Sequence, residues 1–242
     1  MCEMCRRNSI ARFEPSRRSV LGAAVSTMGL LLASAAGAKE KAPPKPQNVL
    51  TPAASLERLK RGNARYVEGV SLRHDFKHER EALAGGQNPY AAVLSCADSR
   101  IAPEYAFDSG RGDLFVCRVA GNFANDESVA SLEYAVAELG TPLILVLGHD
   151  ACGAVSATIK SLKDNTTLPG HLPSLVEAIA PAVKAVSQQA GDTLANAIRQ
   201  NVIDNVGKLS TATPILSAAV EQNKLKVVGG IYRLKDGTVE MV

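Results

Sequence analysis

Surplus charge is missing from the body of this chain. Of 27 basic and 24 acidic residues, five and two fall within residues 1–38, which leaves 22 against 22 from Lys39 onward. A body so balanced gives no electrostatic case for nucleic acid or an anionic membrane as partner. A run of about 20 strongly apolar residues, which a spanning helix needs, is also missing, because the most apolar stretch, Val20 to Ala36, is diluted by Ala and Gly. Cysteine is sparse. Cys2 and Cys5 stand alone at the start with no βαβ pattern around them, so their spacing is weak as a redox motif. The body keeps Cys96, Cys117 and Cys152, an odd number that does not suggest a disulfide framework. There is no tryptophan, no internal repeat and no low-complexity tract in the body. What is present is an apolar fraction of 46%, that of an ordinary globular core, which excludes a fibrous or disordered chain.

The N-terminus reads as an address. Ser16-Arg17-Arg18-Ser19-Val20-Leu21 leads into a modestly apolar segment that ends in Ala36-Gly37-Ala38, which resembles a twin-arginine export signal. The expected division is a signal over residues 1–38, a solvated linker over 39–50 with Pro43, Pro44 and Pro46, and a folded domain over 51–242. The expected location is the periplasm, or another destination outside the cytoplasm reached by the same route. Export in the folded state would allow a metal to be inserted beforehand.

The body alternates short apolar runs with helical patterns. Thr51-Pro52 is an N-cap with proline in the first turn, and predicts a helical arm to about Glu68. A short helix is expected near Lys77 to Ala84, and another from Asp126 to Leu139, capped by Asn125 or Asp126 and stopped by Gly140-Thr141-Pro142. Ala91 to Ser95, Leu114 to Val119 and Leu143 to Leu147 lack polar alternation, as strands buried on both faces do. Helices are expected from Cys152 to about Lys163, then over Pro173 to Gln189, Asp192 to Leu209 and Pro214 to Gln222. A fourth strand spans Lys226 to Tyr232, and Thr238 to Met241 returns beside it after the Asp236-Gly237 turn. This order predicts an α/β fold, a mainly parallel β-sheet flanked by helices with an N-terminal helical arm.

Chemistry concentrates in two segments, Cys96-Ala97-Asp98-Ser99-Arg100 and His149-Asp150-Ala151-Cys152, each following an apolar run. Cys96 would end the first strand and His149 would lie just past the third, so parallel neighbours present both at one sheet edge. Cys152 would open the next helix, where the dipole favours a thiolate. Two sulfurs and an imidazole are zinc ligands, and zinc lowers the pKa of a bound water from that of bulk toward neutrality. Asp98 and Arg100, two residues apart, can form a charge-assisted pair.

Cys96 to Glu104, Phe115 to Asn122, Ser131 to Val136 and Gly148 to Gly153, in that order and spacing, resemble the β-class carbonic anhydrases. The resemblance covers about Pro52 to Val242. It implies reversible hydration of carbon dioxide to bicarbonate and a proton, with zinc held by Cys96, His149 and Cys152. It implies that the fourth position holds either water or Asp98, and that Asp98, paired with Arg100, orients the attacking hydroxide. It further implies substrate contacts from Gln87, Phe115, Ala120 and Tyr134, with Gln87, Phe115 and Tyr134 supplied by a neighbouring subunit. A homodimer or larger even oligomer follows, with the N-terminal arm reaching across the interface. Tryptophan three residues before the first cysteine marks a bicarbonate-inhibited subgroup. Val93 stands there, so that inhibition is not expected, although Arg118 matches the arginine of its anion site. Two other functions share these motifs. Carbonyl sulfide or carbon disulfide hydrolysis would use the same attack, and a closed, non-catalytic zinc module would use a permanently bound Asp98.

Overall fold

The structure is a computed structural model that describes residues 49–242. The arginine pair, Cys2, Cys5 and most of the expected linker lie outside the described residues. The first element, α1 (Pro52–Val67), starts where Thr51 Oγ1 accepts the amide of Ala54 at 3.2 Å. It does not stand clear as a free arm. Leu59 is buried against the body, and buried Asn63 donates to the carbonyls of Ala106 and Gly237 and accepts from the Val239 amide. Tyr66 and Val67 stay exposed.

The chain continues through α2 (Phe76–Leu83), β1 (Ala91–Ser95), α3 (Pro103–Ala106), β2 (Leu114–Arg118), α4 (Asp126–Ala137) and β3 (Leu143–His149). It ends with α5 (Gly153–Asp164), α6 (Leu172–Ala185), α7 (Thr193–Ser210), α8 (Ile215–Glu221), β4 (Lys226–Tyr232) and β5 (Val239–Met241). The five strands lie in the order β2-β1-β3-β4-β5, and only β5 runs antiparallel to its neighbour. Every residue of β1 and β3 is buried, and alternate residues feed different cores. Ala92, Leu94, Ile144 and Val146 pack against the α4 to α8 side, while Ala91, Val93, Leu143, Leu145 and Leu147 face Leu59, Ile101 and Phe107. Each such leucine contributes about 1.5–3 kcal/mol by leaving water, which is why these strands carry no polar residue until their ends.

The chain moves from β1 to β2 on one side and then crosses to β3 on the other, so β1 and β3 flank the topological switch point. Crevices for ligands open there, at the carboxyl ends of the strands. Three boundaries differ from expectation by two residues or more, and one short helix is unexpected. β3 runs two residues further and includes His149, because its pairing with β4 extends to Tyr232. α6 stops at Ala185, not Gln189, where the chain breaks into turns at Ser187 and Gln189. α4 ends two residues early, and the single turn α3, opened by Pro103, is too short to leave a periodic signal.

Candidate active site

The end of β1 delivers Cys96, the end of β3 delivers His149, and the N-cap of α5 delivers Cys152. The donor atoms of these three buried residues all lie within 4.8 Å of one another. Two local devices converge them. Ala151 takes a left-handed turn with φ of 50°, reversing the chain between the histidine and the second cysteine, a conformation costing a residue with a Cβ about 1–2 kcal/mol. Asp150 then pins that turn, since its carboxylate accepts the Leu234 amide at 2.9 Å beyond β4. Gly148, just before the histidine, lets β3 approach α7 closely, because a Cβ there would come within 2.6 Å of Val202.

The imidazole is oriented by its own neighbour. His149 Nδ1 donates to the Asp150 carbonyl at 2.8 Å, which leaves Nε2 as the acceptor facing the two sulfurs. That Nε2 is buried with no hydrogen-bond partner. An orphaned buried polar atom costs about 1–3 kcal/mol, and a cation is the partner this one fits.

The sulfurs point the same way. The Cys96 thiol is lowered, chiefly by the hydrogen bond from Cys152 and, against burial, by His149 and the Gly121 amide, whose nitrogen lies 3.3 Å from Sγ. Cys152 is raised by the same bond and by burial. The same hydrogen bond thus lowers one thiol and raises the other, and a cation between them is what would let both sulfurs ionise. The donor set therefore fits zinc, and it is the one such group among the described residues.

Gly121 supports this arrangement in a way only glycine can. Its φ is 89°, and a Cβ would sit 2.5 Å from Ile179 Cδ1. Gly121→Ala is expected to cost about 1–3 kcal/mol of stability and to speed zinc loss to a chelator. A denaturant midpoint and chelation rate equal to those of the parent would contradict it.

Asp98 borders the same space. Its Oδ1 accepts from the Arg100 amide and Nε, each at 2.9 Å, and Oδ2 accepts from an Arg100 terminal nitrogen at 2.7 Å. These bonds, the guanidinium's first, hold the carboxyl well below the usual carboxylate range. Oδ2 also lies 3.9 Å from His149 Nε2. Arg100 thus turns toward itself a carboxylate that stands next to the metal position.

The remaining site residues divide by location. Ala120 directly precedes Gly121 and so flanks Cys96. Phe115 and Tyr134 meet each other with ring centroids 6.3 Å apart, but Phe115 is level with Ala92, four residues before Cys96, or about 13 Å along the strand. Gln87 is exposed and precedes β1. Within one chain, then, Gln87, Phe115 and Tyr134 are not brought to the cluster. Cys117, level with Leu94 on β2, is not part of it either. Residues with structural tasks here that motif reading did not single out are Gly121, whose amide meets the thiolate, and Asp150, whose carbonyl sets the tautomer.

A doubly wound sheet with two cysteines and a histidine at its switch point, and a paired Asp and Arg beside them, defines a zinc enzyme of the α/β class. A sequence model of the carbonic anhydrase family matches residues 91–239. Carbonic anhydrase 2 of Mycobacterium tuberculosis is 38% identical over 187 residues, covering 77% of this chain and 90% of that one. The carbonic anhydrase of Mycolicibacterium smegmatis is 38% identical over 192 residues, 78% of this chain and 93% of its own. Among solved structures, the β-carbonic anhydrase CcaA is 28% identical with a TM-score of 0.60, over 78% of this chain and 92% of that one. The chain belongs to the β-carbonic anhydrase family, zinc enzymes that interconvert carbon dioxide and water with bicarbonate and a proton.

Proposed function

We propose that Cys96, His149 and Cys152 hold the zinc and that Asp98, locked to Arg100, orients the attack on carbon dioxide. The observation that carries this reading is the orphaned Nε2 of His149, within 4.8 Å of both sulfurs and 3.9 Å from an ionised carboxylate oxygen. When bound, zinc supplies a Lewis acid that makes a nucleophile of water near neutral pH. Asp98, ionised and without a proton of its own, can only accept a hydrogen bond, so it fixes the nucleophile's proton and turns the lone pair toward the carbon. Arg100 keeps that carboxylate off the ion, which argues against a closed, purely structural site. Carbonyl sulfide or carbon disulfide hydrolysis would use the same groups, but relatives named as carbonic anhydrases favour carbon dioxide.

Gln87, Phe115 and Tyr134 are proposed to line the site of a second copy of the chain, with Ala120 lining its own. In support, Phe115 sits on the edge strand β2 with its ring tilted at 41° against that of Tyr134, which is half exposed. The exposed end of α1 is proposed to reach across the same interface. Tyr134→Arg is then expected to yield a zinc-loaded monomer with at least about tenfold lower kcat/KM, seen by sedimentation and stopped-flow hydration. A wild-type chain that sediments as a fully active monomer would refute the shared site.

Residues 1–38 are proposed as a twin-arginine export signal, and the mature protein as periplasmic or otherwise exported. The support is sequence alone; among the described residues no helix is long and apolar enough to cross a membrane. Arg17→Lys combined with Arg18→Lys should leave the precursor in the cytoplasm on cell fractionation. Undiminished export would exclude the route.

A further inference from the structure

Helix α7 carries a polar stripe on a face that otherwise belongs to the core. Asn201, Asn205 and Lys208 follow one another at intervals of four and three, beside the buried Ile198, Val202 and Leu209, a spacing that puts them on one side of the helix. Asparagine is a poor helix former, and its amide is costly to bury without partners. Two of them, 2% and 6% exposed, therefore call for a reason.

All three bond the same stretch of backbone. Asn201 Nδ2 donates to the Gly121 carbonyl at 2.8 Å, Asn205 Oδ1 accepts the Ala124 amide at 2.7 Å, and Lys208 Nζ donates to the Ala124 carbonyl at 2.5 Å. Asn205 also donates to Asn201 Oδ1 at 3.2 Å, which fixes the way the Asn201 amide faces. Residues 121–124 are buried and lie between β2 and α4, outside any strand ladder. Their polar groups must find partners other than water, and α7 supplies them.

The stretch begins at the residue that touches a metal ligand, since the Gly121 amide donates to Cys96 Sγ at 3.3 Å. Glycine permits the φ of 89° found there, but its freedom means that it does not hold that shape unaided. The bond from Asn201 fixes the peptide after Gly121, while the bond to sulfur engages the peptide before it. We propose that Asn201, oriented by Asn205, is a positioning residue for the metal site. By holding the Gly121 carbonyl, it keeps the Gly121 amide aimed at Cys96 Sγ and so moderates the charge that this sulfur gives the ion. Groups that orient or bond metal ligands shift affinity by about 10- to 100-fold.

The inference rests on Cys96 being a zinc ligand. The test compares wild type with Asn201→Leu, similar in volume but without a donor, and with Lys208→Met, which removes a different bond to the same stretch. Each is loaded with zinc for chelation kinetics and, separately, with cobalt(II), whose spectrum carries a thiolate-to-metal charge-transfer band. A sulfur relieved of its N–H donor gives up charge more readily, so in Asn201→Leu that band should move to longer wavelength. Zinc should also pass to a chelator about tenfold faster. Lys208→Met should lower the denaturant midpoint and leave the band in place. An unmoved band in fully loaded Asn201→Leu would overturn the inference alone, as would an equal shift in Lys208→Met, which would make general loosening the cause. Should Asn201→Leu fail to fold, Asn201→Val, smaller and equally without a donor, is read the same way. Wild-type protein that takes up neither metal would strike the zinc site, and the inference with it.

Discussion

Cys96→Ala is expected to hydrate carbon dioxide no faster than buffer and to purify with little zinc. The loss should be at least about 10³-fold in kcat/KM, beyond the 10- to 100-fold typical when only a partner of a ligand is removed. Three donors within 4.8 Å of one another form the proposed site; two of them would leave a charge deficit as well as a gap, because the remaining sulfur alone would have to balance the ion. The fold should survive, since Cys96 lies past the end of β1 and the dry middle of the sheet is untouched. Stopped-flow rates and metal analysis check this together. A variant that kept stoichiometric zinc and parental turnover would remove Cys96 from the site.

Asp98→Asn tests the other half of the machinery, and a fall of about 10²- to 10³-fold in kcat is expected, with zinc content unchanged. The amide has nearly the same shape, so Arg100 keeps a partner, but the charge that ties them is gone. Stability should change little, because Arg100 is half exposed and such pairs are worth about 0–1 kcal/mol. The pH dependence has a definite sign. The folded-state carboxyl is depressed, chiefly by the Arg100 hydrogen bond, so its contribution to stability is present above the ordinary carboxylate range and is lost as pH falls through the folded value. Any difference in denaturant stability between the two proteins should therefore persist at neutral pH and shrink only in strong acid. A difference that disappeared between pH 6 and 8 would contradict the assignment, as would full turnover in Asp98→Asn.

The central strands could be read from the sequence because burial on both faces leaves an unbroken apolar run, as in Leu143 to Leu147. The meeting of Cys96, His149 and Cys152 could be read because cysteine and histidine directly after such runs must emerge at one edge of a parallel sheet. Where β3 ends could not be read, since His149 looks like a loop residue until its pairing with Tyr232 is seen. Backbone acceptors left no trace either. The tautomer of His149 is set by the Asp150 carbonyl, and Arg118 is spent on three carbonyls, none of which any residue type reports. Phe115 and Tyr134 come from the resemblance alone, as contacts supplied by a neighbouring subunit, and only the register shows that Phe115 lies level with Ala92, four residues before Cys96. α6 was extended too far because Val186 is buried like the helical residues before it, although the chain has already turned.

The hydrogen bond that pairs Cys96 with Cys152 has a corollary for the life of the enzyme. Their donor atoms lie within 4.8 Å of one another, and if the proposed export route operates, the protein would meet the oxidants that prevail outside the cytoplasm. Joined, the two sulfurs would no longer offer two separate thiolate ligands. A bound ion would then shield the pair as well as serve the reaction, and on the proposed export route it would have to arrive ahead of the oxidant.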